Sequence, residues 1–88
     1  MKLKCSVEFV DMGDEYIAVP VGVGSDKISG VLKLNKTGKE IVELLCDETT
    51  SESVINILSE KYDDDRIIIS KHVNEIINTL RKNNLINE

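Results

Sequence analysis

The sequence predicts a small α+β domain in which three short antiparallel strands are followed by three helices. The pattern between Lys4 and Leu34 is strand-like, whereas after Asn35 apolar residues recur at helical spacing. Composition supports a packed core, because the 88 residues include 11 Ile, 9 Val and 8 Leu. At this length we expect one domain that spans residues 1–88, with strands within about 4–34 and helices within about 37–83.

Three segments of the first 34 residues have the pattern of strands. The first begins at about Lys4 and leads into Asp11–Asp14, whose Asp and Gly residues favour a tight reversal. Tyr16–Val21 is the returning strand of this hairpin. Residues 22–30 contain the Gly, Ser and Asp of a loop, and Val31–Leu34 is the third predicted strand.

Helical spacing predicts two helices in the middle of the chain. The first covers about residues 37–46, with Asn35 or its own first residue as N-cap. The second reaches Tyr62 from a cap at Thr50 or Ser51. A short acidic segment separates the two helices, and a second one follows Tyr62.

The third predicted helix is the longest. It starts near Ile68 or Ser70 and ends at about Asn83. The run Ile67–Ile69 is equally compatible with a strand, because β-branched residues favour extended backbone. After the helix, we expect Leu85–Ile86 to fold back and close the core.

Composition argues against several classes of function. A net charge of −5 and only three aromatic residues oppose nucleic-acid wrapping and base stacking. No stretch suits a membrane span or a signal peptide, so we expect a cytoplasmic protein. Cys5 and Cys46 lie 41 positions apart and form no metal motif, and we expect both to be buried and reduced. Because the single histidine, His72, has no triad spacing around it, we expect no catalysis, metal or cofactor.

Charge is distributed unevenly along the chain. Residues 1–36 carry five acidic and five basic groups, residues 37–65 nine acidic and two basic groups, and residues 66–88 two acidic and four basic groups. The third predicted helix is therefore mildly basic on an otherwise acidic body. Two interpretations stay open, namely an ordinary solvated surface and a helix that meets an acidic ligand.

The segment from Ser29 to Gly38, SGVLKLNKTG, resembles the signature of the PqqD family, which is named for pyrroloquinoline quinone biosynthesis. In that family a short strand ends in Leu-Asn and runs directly into the first helix. The resemblance covers about Gly30 to Ile86 and extends only loosely to the hairpin. Further matching positions are Ile41, Leu44, Leu45, Thr50, Val54, Ile55, Leu58, Tyr62, Val73, Ile77, Leu80, Asn84 and Leu85.

The resemblance implies a winged helix-turn-helix-like fold and a non-catalytic peptide recognition element. Such domains bind the leader of a ribosomally synthesised precursor peptide and present it to a modifying enzyme, often a radical SAM protein. The leader adds as a strand beside the third strand and packs on the third helix. Carried over to this chain, the peptide-binding residues are Val31, Leu32, Lys33 and Leu34 on the strand, Val73, Ile76 and Ile77 in the groove, and Asn74 and Arg81 at its polar rim.

Two other functions stay open from the sequence. A winged-helix domain can place its third helix in the DNA major groove, where Lys71, Arg81 and Lys82 would contact phosphates, although the acidic segment beside that helix opposes DNA. A stand-alone dimerisation domain would instead pair strand edges between two protomers. Such a homodimer would occupy the edge that the leader is expected to use.

Overall fold

The computed structural model describes residues 1–21, 31–63 and 65–87. Its elements in chain order are β1 (Lys2–Leu3), β2 (Ser6–Asp11), β3 (Tyr16–Val21), β4 (Leu32–Leu34), α1 (Lys36–Leu44), α2 (Ser51–Lys61), α3 (Arg66–Lys82) and β5 (Ile86–Asn87). The predicted α+β class, with a three-stranded antiparallel sheet ahead of the helices, is confirmed. The loop predicted over residues 22–30 lies outside the described residues.

The main sheet has the strand order β2-β3-β4, with antiparallel neighbours. In the β2–β3 turn Gly13 has a φ of +96°, which a residue with a side chain adopts only under strain. The Asp11 carboxylate accepts a hydrogen bond from the Gly13 N–H at 2.8 Å and so fixes the turn. Val7 and Phe9 direct their side chains towards the core, as the alternation predicts.

Each helix begins at a side-chain cap. The caps are Asn35 for α1, Thr50 for α2 and Asp65 for α3. Asp65 Oδ1 accepts a hydrogen bond from the Ile67 N–H at 2.9 Å, which explains why α3 begins at Arg66, earlier than the sequence predicts. The ambiguous isoleucine run is therefore helical, and only its last member reaches the core.

The core lies between the helices and the inner face of the sheet. Its largest fully buried side chains are Ile41, Val42, Leu45, Val54, Leu58, Val73 and Leu80. They come from all three helices, so that α2 packs on α3 while α1 contacts α3, β3 and β4. Within the described residues, no helix has the length and apolar character needed to cross a bilayer.

The carboxyl end of α3 folds back through a Schellman motif. Asn84 has a φ of 59°, its N–H donates to the Arg81 carbonyl at 3.1 Å, and the Leu85 N–H donates to the Leu80 carbonyl at 2.8 Å. Leu85 and Ile86 are consequently buried, which confirms that they close the core. β5 then pairs with β1, a two-residue ladder that sequence alternation is too short to reveal.

Asn84 should tolerate glycine better than alanine. Its left-handed backbone costs an ordinary L-residue about 1–2 kcal/mol, whereas glycine adopts it freely. We expect Asn84→Ala to lower the free energy of unfolding by roughly 1 kcal/mol and Asn84→Gly to leave it unchanged or higher, measured by urea denaturation. Asn56→Ala, at an exposed position of α2, is the control. Equal losses for alanine and glycine at position 84 would contradict a backbone origin.

The two cysteines differ in environment, although both are free thiols. Cys5 is half-buried, but the expectation that Cys46 is buried is wrong: it follows α1, is exposed, and its Sγ donates to the Val42 carbonyl at 3.6 Å. Burial raises the pKa of Cys5. Partial burial, followed by the Asp47 and Glu43 carboxylates, raises the pKa of Cys46. Both sulfurs are therefore protonated at neutral pH.

One carboxylate ties α1 to the end of α2. Glu40 accepts hydrogen bonds from Tyr62 Oη at 2.5 Å and from Lys61 Nζ at 3.0 Å. Partial burial is the largest single influence and raises the pKa of Glu40, but the hydrogen bonds from Tyr62 and Lys61, with attraction from Lys61 and Lys36, outweigh it and leave that pKa lowered. The contact therefore favours ionised Glu40.

This lowered pKa makes the contact pH-dependent. When folding lowers the pKa of a carboxylate, the ionised group stabilises the folded state. This stabilisation is complete above the pKa of the unfolded state and is lost as the pH falls through the pKa of the folded state. We expect Glu40→Gln to lower the free energy of unfolding by roughly 1–2 kcal/mol at pH 7 and to have little effect at pH well below 4, measured by urea denaturation. Glu60→Gln, exposed on α2, is the control. The same loss at both pH values would contradict the role of the ionised carboxylate.

Candidate functional site

The open edge of β4 is the first component of the site. In the described part of the chain, β4 pairs with β3 on one side and with no strand on the other. Such an edge presents backbone N–H and C=O groups that another strand can bond. Which groups face outwards follows from the alternation of hydrogen-bonded and non-hydrogen-bonded pairs in an antiparallel ladder.

The hairpin turn fixes this alternation. Met12 and Glu15 form a hydrogen-bonded pair, because the Met12 N–H donates to the Glu15 carbonyl at 2.8 Å. Two pairs further along the β2–β3 ladder, Ile17 also directs its backbone groups to β2, so its neighbours direct theirs to β4. Lys33 lies opposite Ile17 in the β3–β4 register. The N–H and C=O of Lys33 therefore face the open side of β4.

Pro20 gives an independent check on this alternation. It lies opposite Val7 in the β2–β3 ladder. The alternation makes this a non-hydrogen-bonded pair, in which the N–H that proline lacks would point away from β2. The ladder therefore accommodates the proline without losing a bond to β2.

A shallow cleft between the start of α1 and one flank of α3 is the second component. Its volume is about 150 Å³, and its lining residues are Asn35, Thr37, Gly38, Ile41, His72, Glu75 and Ile76. A Cβ on Gly38 would lie 3.3 Å from both Ile76 Cδ1 and Leu34 Cδ2. The missing side chain therefore allows α1, α3 and the end of β4 to approach one another closely. This contact places the cleft next to the carboxyl end of β4.

Three residues of α3 are predicted to line the peptide groove. Of these, Ile76 lines the observed cleft, where it is half-buried. Val73 and Ile77 are corrected to core positions, because only 0% and 3% of their surfaces are exposed. Lys33 on β4 and Val31 just before it are exposed, whereas Leu34 is buried and, as the partner of Tyr16, directs its backbone groups to β3. Leu32 is half-buried.

The two residues predicted for the polar rim, Asn74 and Arg81, do not line the cleft. At 100° per residue, Asn74 is about 200° from His72 around α3, and Arg81 is about 140° from Ile76. Both residues therefore lie away from the cleft, and Arg81 Nη1 donates to Asn78 Oδ1 at 2.8 Å. The structure places His72 on the cleft wall instead.

Of the seven residues that line the cleft, the sequence predicts only Ile76 as a binding residue. The six that it misses are Asn35, Thr37, Gly38, Ile41, His72 and Glu75. The helical wheel does place His72 at one edge of the apolar stripe of α3 and Asn74 just beyond the other. It gives no reason to prefer either flank, because the choice depends on where α1 crosses α3. The glycine at position 38, in the first turn of a helix, is the signal that marks the crossing.

Exposed charges accompany the edge and the cleft. Lys33 Nζ lies 3.3 Å from Glu15 Oε2, with 71% and 47% of the two side chains exposed. An ion pair this exposed is worth at most about 1 kcal/mol, so Lys33 can exchange partners readily. Within residues 1–21, 31–63 and 65–87, no three His, Cys, Asp or Glu side chains are arranged to hold a metal ion.

Comparison with known families identifies the class of protein. The model of the family described as coenzyme PQQ synthesis protein D (PqqD) matches residues 15–86. The chain belongs to the PqqD family. The matched region includes β4 and every residue of the cleft, so this PqqD-family member carries its open edge and cleft within the family's shared region.

A solved structure shares the fold of this PqqD-family chain. It is TbiB1 in complex with the TbiA(beta) leader peptide, with a TM-score of 0.70 over 100% of this chain and 98% of that one. The two sequences are 19% identical, a level at which the likeness establishes the fold. No curated protein matches the sequence.

Proposed function

We propose that this chain is a non-catalytic module that binds the leader of a ribosomally synthesised precursor peptide and presents it to a modifying enzyme. The observation that carries the proposal is the open β4 edge beside the cleft. An extended peptide can bond to such an edge and place alternate side chains in a neighbouring cleft. Membership of the PqqD family and the fold shared with a leader-bound protein support this role.

The residues divide into backbone and side-chain roles. The backbone of Val31–Leu34 supplies the pairing edge, with the outward N–H and C=O of Lys33 at its centre. Ile76 provides the apolar contact in the cleft, between His72 and the start of α1. Val73 and Ile77 act indirectly, because they hold α3 against the core.

The proposed module works with a second protein. The partner is a peptide-modifying enzyme, of which a radical SAM enzyme is the foremost candidate. Both would act in the cytoplasm, where ribosomal peptides are made. The chain itself supplies an edge and a cleft of about 150 Å³, which suit peptide capture better than an enclosed reaction.

An NMR titration tests leader binding directly. The probe is the leader of the short precursor peptide encoded beside the gene for this chain, added to ¹⁵N-labelled protein. We expect the amides of Lys33, Gly38 and residues 72–76 to shift, while those of β2 and the exposed face of α2 stay in place. Unmoved amides at β4 and α3 at saturating leader would refute the proposal.

Pairing between two copies of the chain is the second candidate, because the β4 edge can also accept a protomer's strand. Such a homodimer would compete with the leader for one edge. We expect sedimentation velocity to show monomer at all concentrations at which the leader binds. A dimer that dissociates when the leader is added would favour strand exchange at β4 instead.

DNA binding has less support. The flank of α3 that faces the cleft carries the acidic Glu75, and the basic residues of α3 are not among the side chains that line the cleft. Tight DNA binding typically uses about 6–10 phosphate contacts, more than the basic residues of α3 can make. A low-salt gel shift with duplex DNA is expected to show no retarded band.

A further inference from the structure

A second groove lies between α1 and α2. This α1–α2 groove has a volume of about 240 Å³ and is lined by Glu40, Glu43, Leu44, Ile57, Leu58 and Lys61. Ile57 is 46% exposed and Leu44 is half-buried, so apolar side chains reach its surface. The α1–α2 groove shares no lining residue with the cleft between α1 and α3 that is proposed to bind the leader. A side chain seated in the groove would therefore not occupy the cleft.

Two basic groups beside the groove, Lys61 and Lys39, are engaged in ion pairs. Lys61 Nζ lies 3.0 Å from Glu40 Oε1, and Lys39 Nζ lies 2.5 Å from Glu43 Oε1. Each pair is local, because the first joins α2 to α1 and the second spans one turn of α1. The two pairs therefore compensate these ammonium groups together with the Glu40 and Glu43 carboxylates of the groove.

Two further carboxylates, outside the groove lining, lie close in sequence to groove residues of α1 and α2. Glu60 is exposed and follows Ile57 by three residues, which places it on the same side of α2. Asp47 is exposed and follows the end of α1. The last turn of α1 contains no basic residue, so the negative end of its helix dipole is uncompensated. The groove is thus an apolar floor in an acidic surround.

We infer that the α1–α2 groove docks the peptide-modifying enzyme, through an apolar side chain that Lys or Arg residues flank on the enzyme surface. The inference rests on the proposed function, since an adaptor must hold peptide and enzyme at the same time. Burial of Ile57 supplies the contact, and the acidic surround selects a basic partner. A second copy seated groove to groove would oppose two acidic surfaces, which disfavours self-association at this site.

Two Ile→Lys variants test the inference with matched chemistry. Ile57→Lys places a charge in the groove, whereas Ile67→Lys places the same charge at a position that is 78% exposed on α3. The probe is the purified peptide-modifying enzyme encoded beside this chain's gene, and its affinity is measured by titration calorimetry. We expect Ile57→Lys to weaken enzyme binding at least about tenfold and Ile67→Lys to change it less than about twofold.

A charge reversal provides a variant that leaves the apolar floor intact. We expect Glu60→Lys to weaken enzyme binding roughly threefold and to make that binding less sensitive to added salt. Urea denaturation of each variant shows whether it folds, and Ile57→Ser replaces Ile57→Lys if the latter does not. Leader affinity should stay unchanged in all of these variants, because none of them lies in the cleft.

The outcomes separate the docking site from the proposed function. Equal enzyme affinities for Ile57→Lys and Ile67→Lys, with leader binding intact, would overturn the docking inference alone. A change in self-association instead of enzyme affinity would overturn it as well. Failure of the parent chain to bind the leader would overturn the proposed function, whatever the enzyme titration shows.

Discussion

Replacing Lys33 by proline is expected to lower leader affinity at least about tenfold while the free energy of unfolding stays within about 1 kcal/mol of the parent value. The N–H of Lys33 faces the open side of β4, so proline removes no hydrogen bond to β3. Edge strands accept proline at such positions. An incoming strand, however, would lose the bond to this N–H and would meet the pyrrolidine ring.

The matched control is Lys33→Ala, which keeps the N–H and removes only the side chain and its ion pair with Glu15. We expect the affinity of this variant to stay within about threefold of the parent, because exposed ion pairs contribute little. Titration calorimetry measures both affinities, and urea denaturation measures both stabilities. Equal losses for Ala and Pro would show that the side chain is recognised, which contradicts strand addition through the backbone.

The elements that the sequence predicts well are those specified by neighbouring residues. Strand β3 has the predicted bounds, because a short apolar run and a Gly-containing turn before it are local signals. The caps Asn35 and Thr50 are likewise visible in sequence, since a short polar side chain precedes each helix. The start of α3 is not, because an isoleucine run favours strand and helix alike until the Asp65 cap decides between them.

The site is only half predictable for a related reason. A short aliphatic strand followed directly by a helix cap is readable in sequence, so the β4 edge can be located from Leu34 and Asn35. Which flank of α3 faces that edge depends on the crossing of α1 and α3 at Gly38, a long-range contact that has no sequence period. The amphipathic pattern of a helix specifies which of its faces is buried. It does not identify the element that packs against each edge of that face. Ile76 and Ile77 are therefore adjacent in sequence and differ in environment.

The same Ile→Ala substitution at positions 76 and 77 should consequently affect different properties. At position 77 it should lower mainly stability, and at position 76 mainly leader affinity. Ile77 is 3% exposed and packed in the core, so Ile77→Ala is expected to lower the free energy of unfolding by about 2–5 kcal/mol through lost burial and the cavity left behind. Leader affinity should change less than about twofold in the fraction that stays folded. Urea denaturation and titration calorimetry measure the two quantities separately.

Ile76→Ala is the counterpart, because the same atoms are removed from a half-buried cleft residue. We expect a stability loss of roughly 1 kcal/mol, as part of that side chain is already exposed to water. Leader affinity should fall about tenfold, the factor that corresponds to losing some 1.4 kcal/mol of apolar burial in the complex. A leader that binds Ile76→Ala as tightly as the parent chain would place its side chains outside the cleft. Recognition would then rest on the β4 backbone alone.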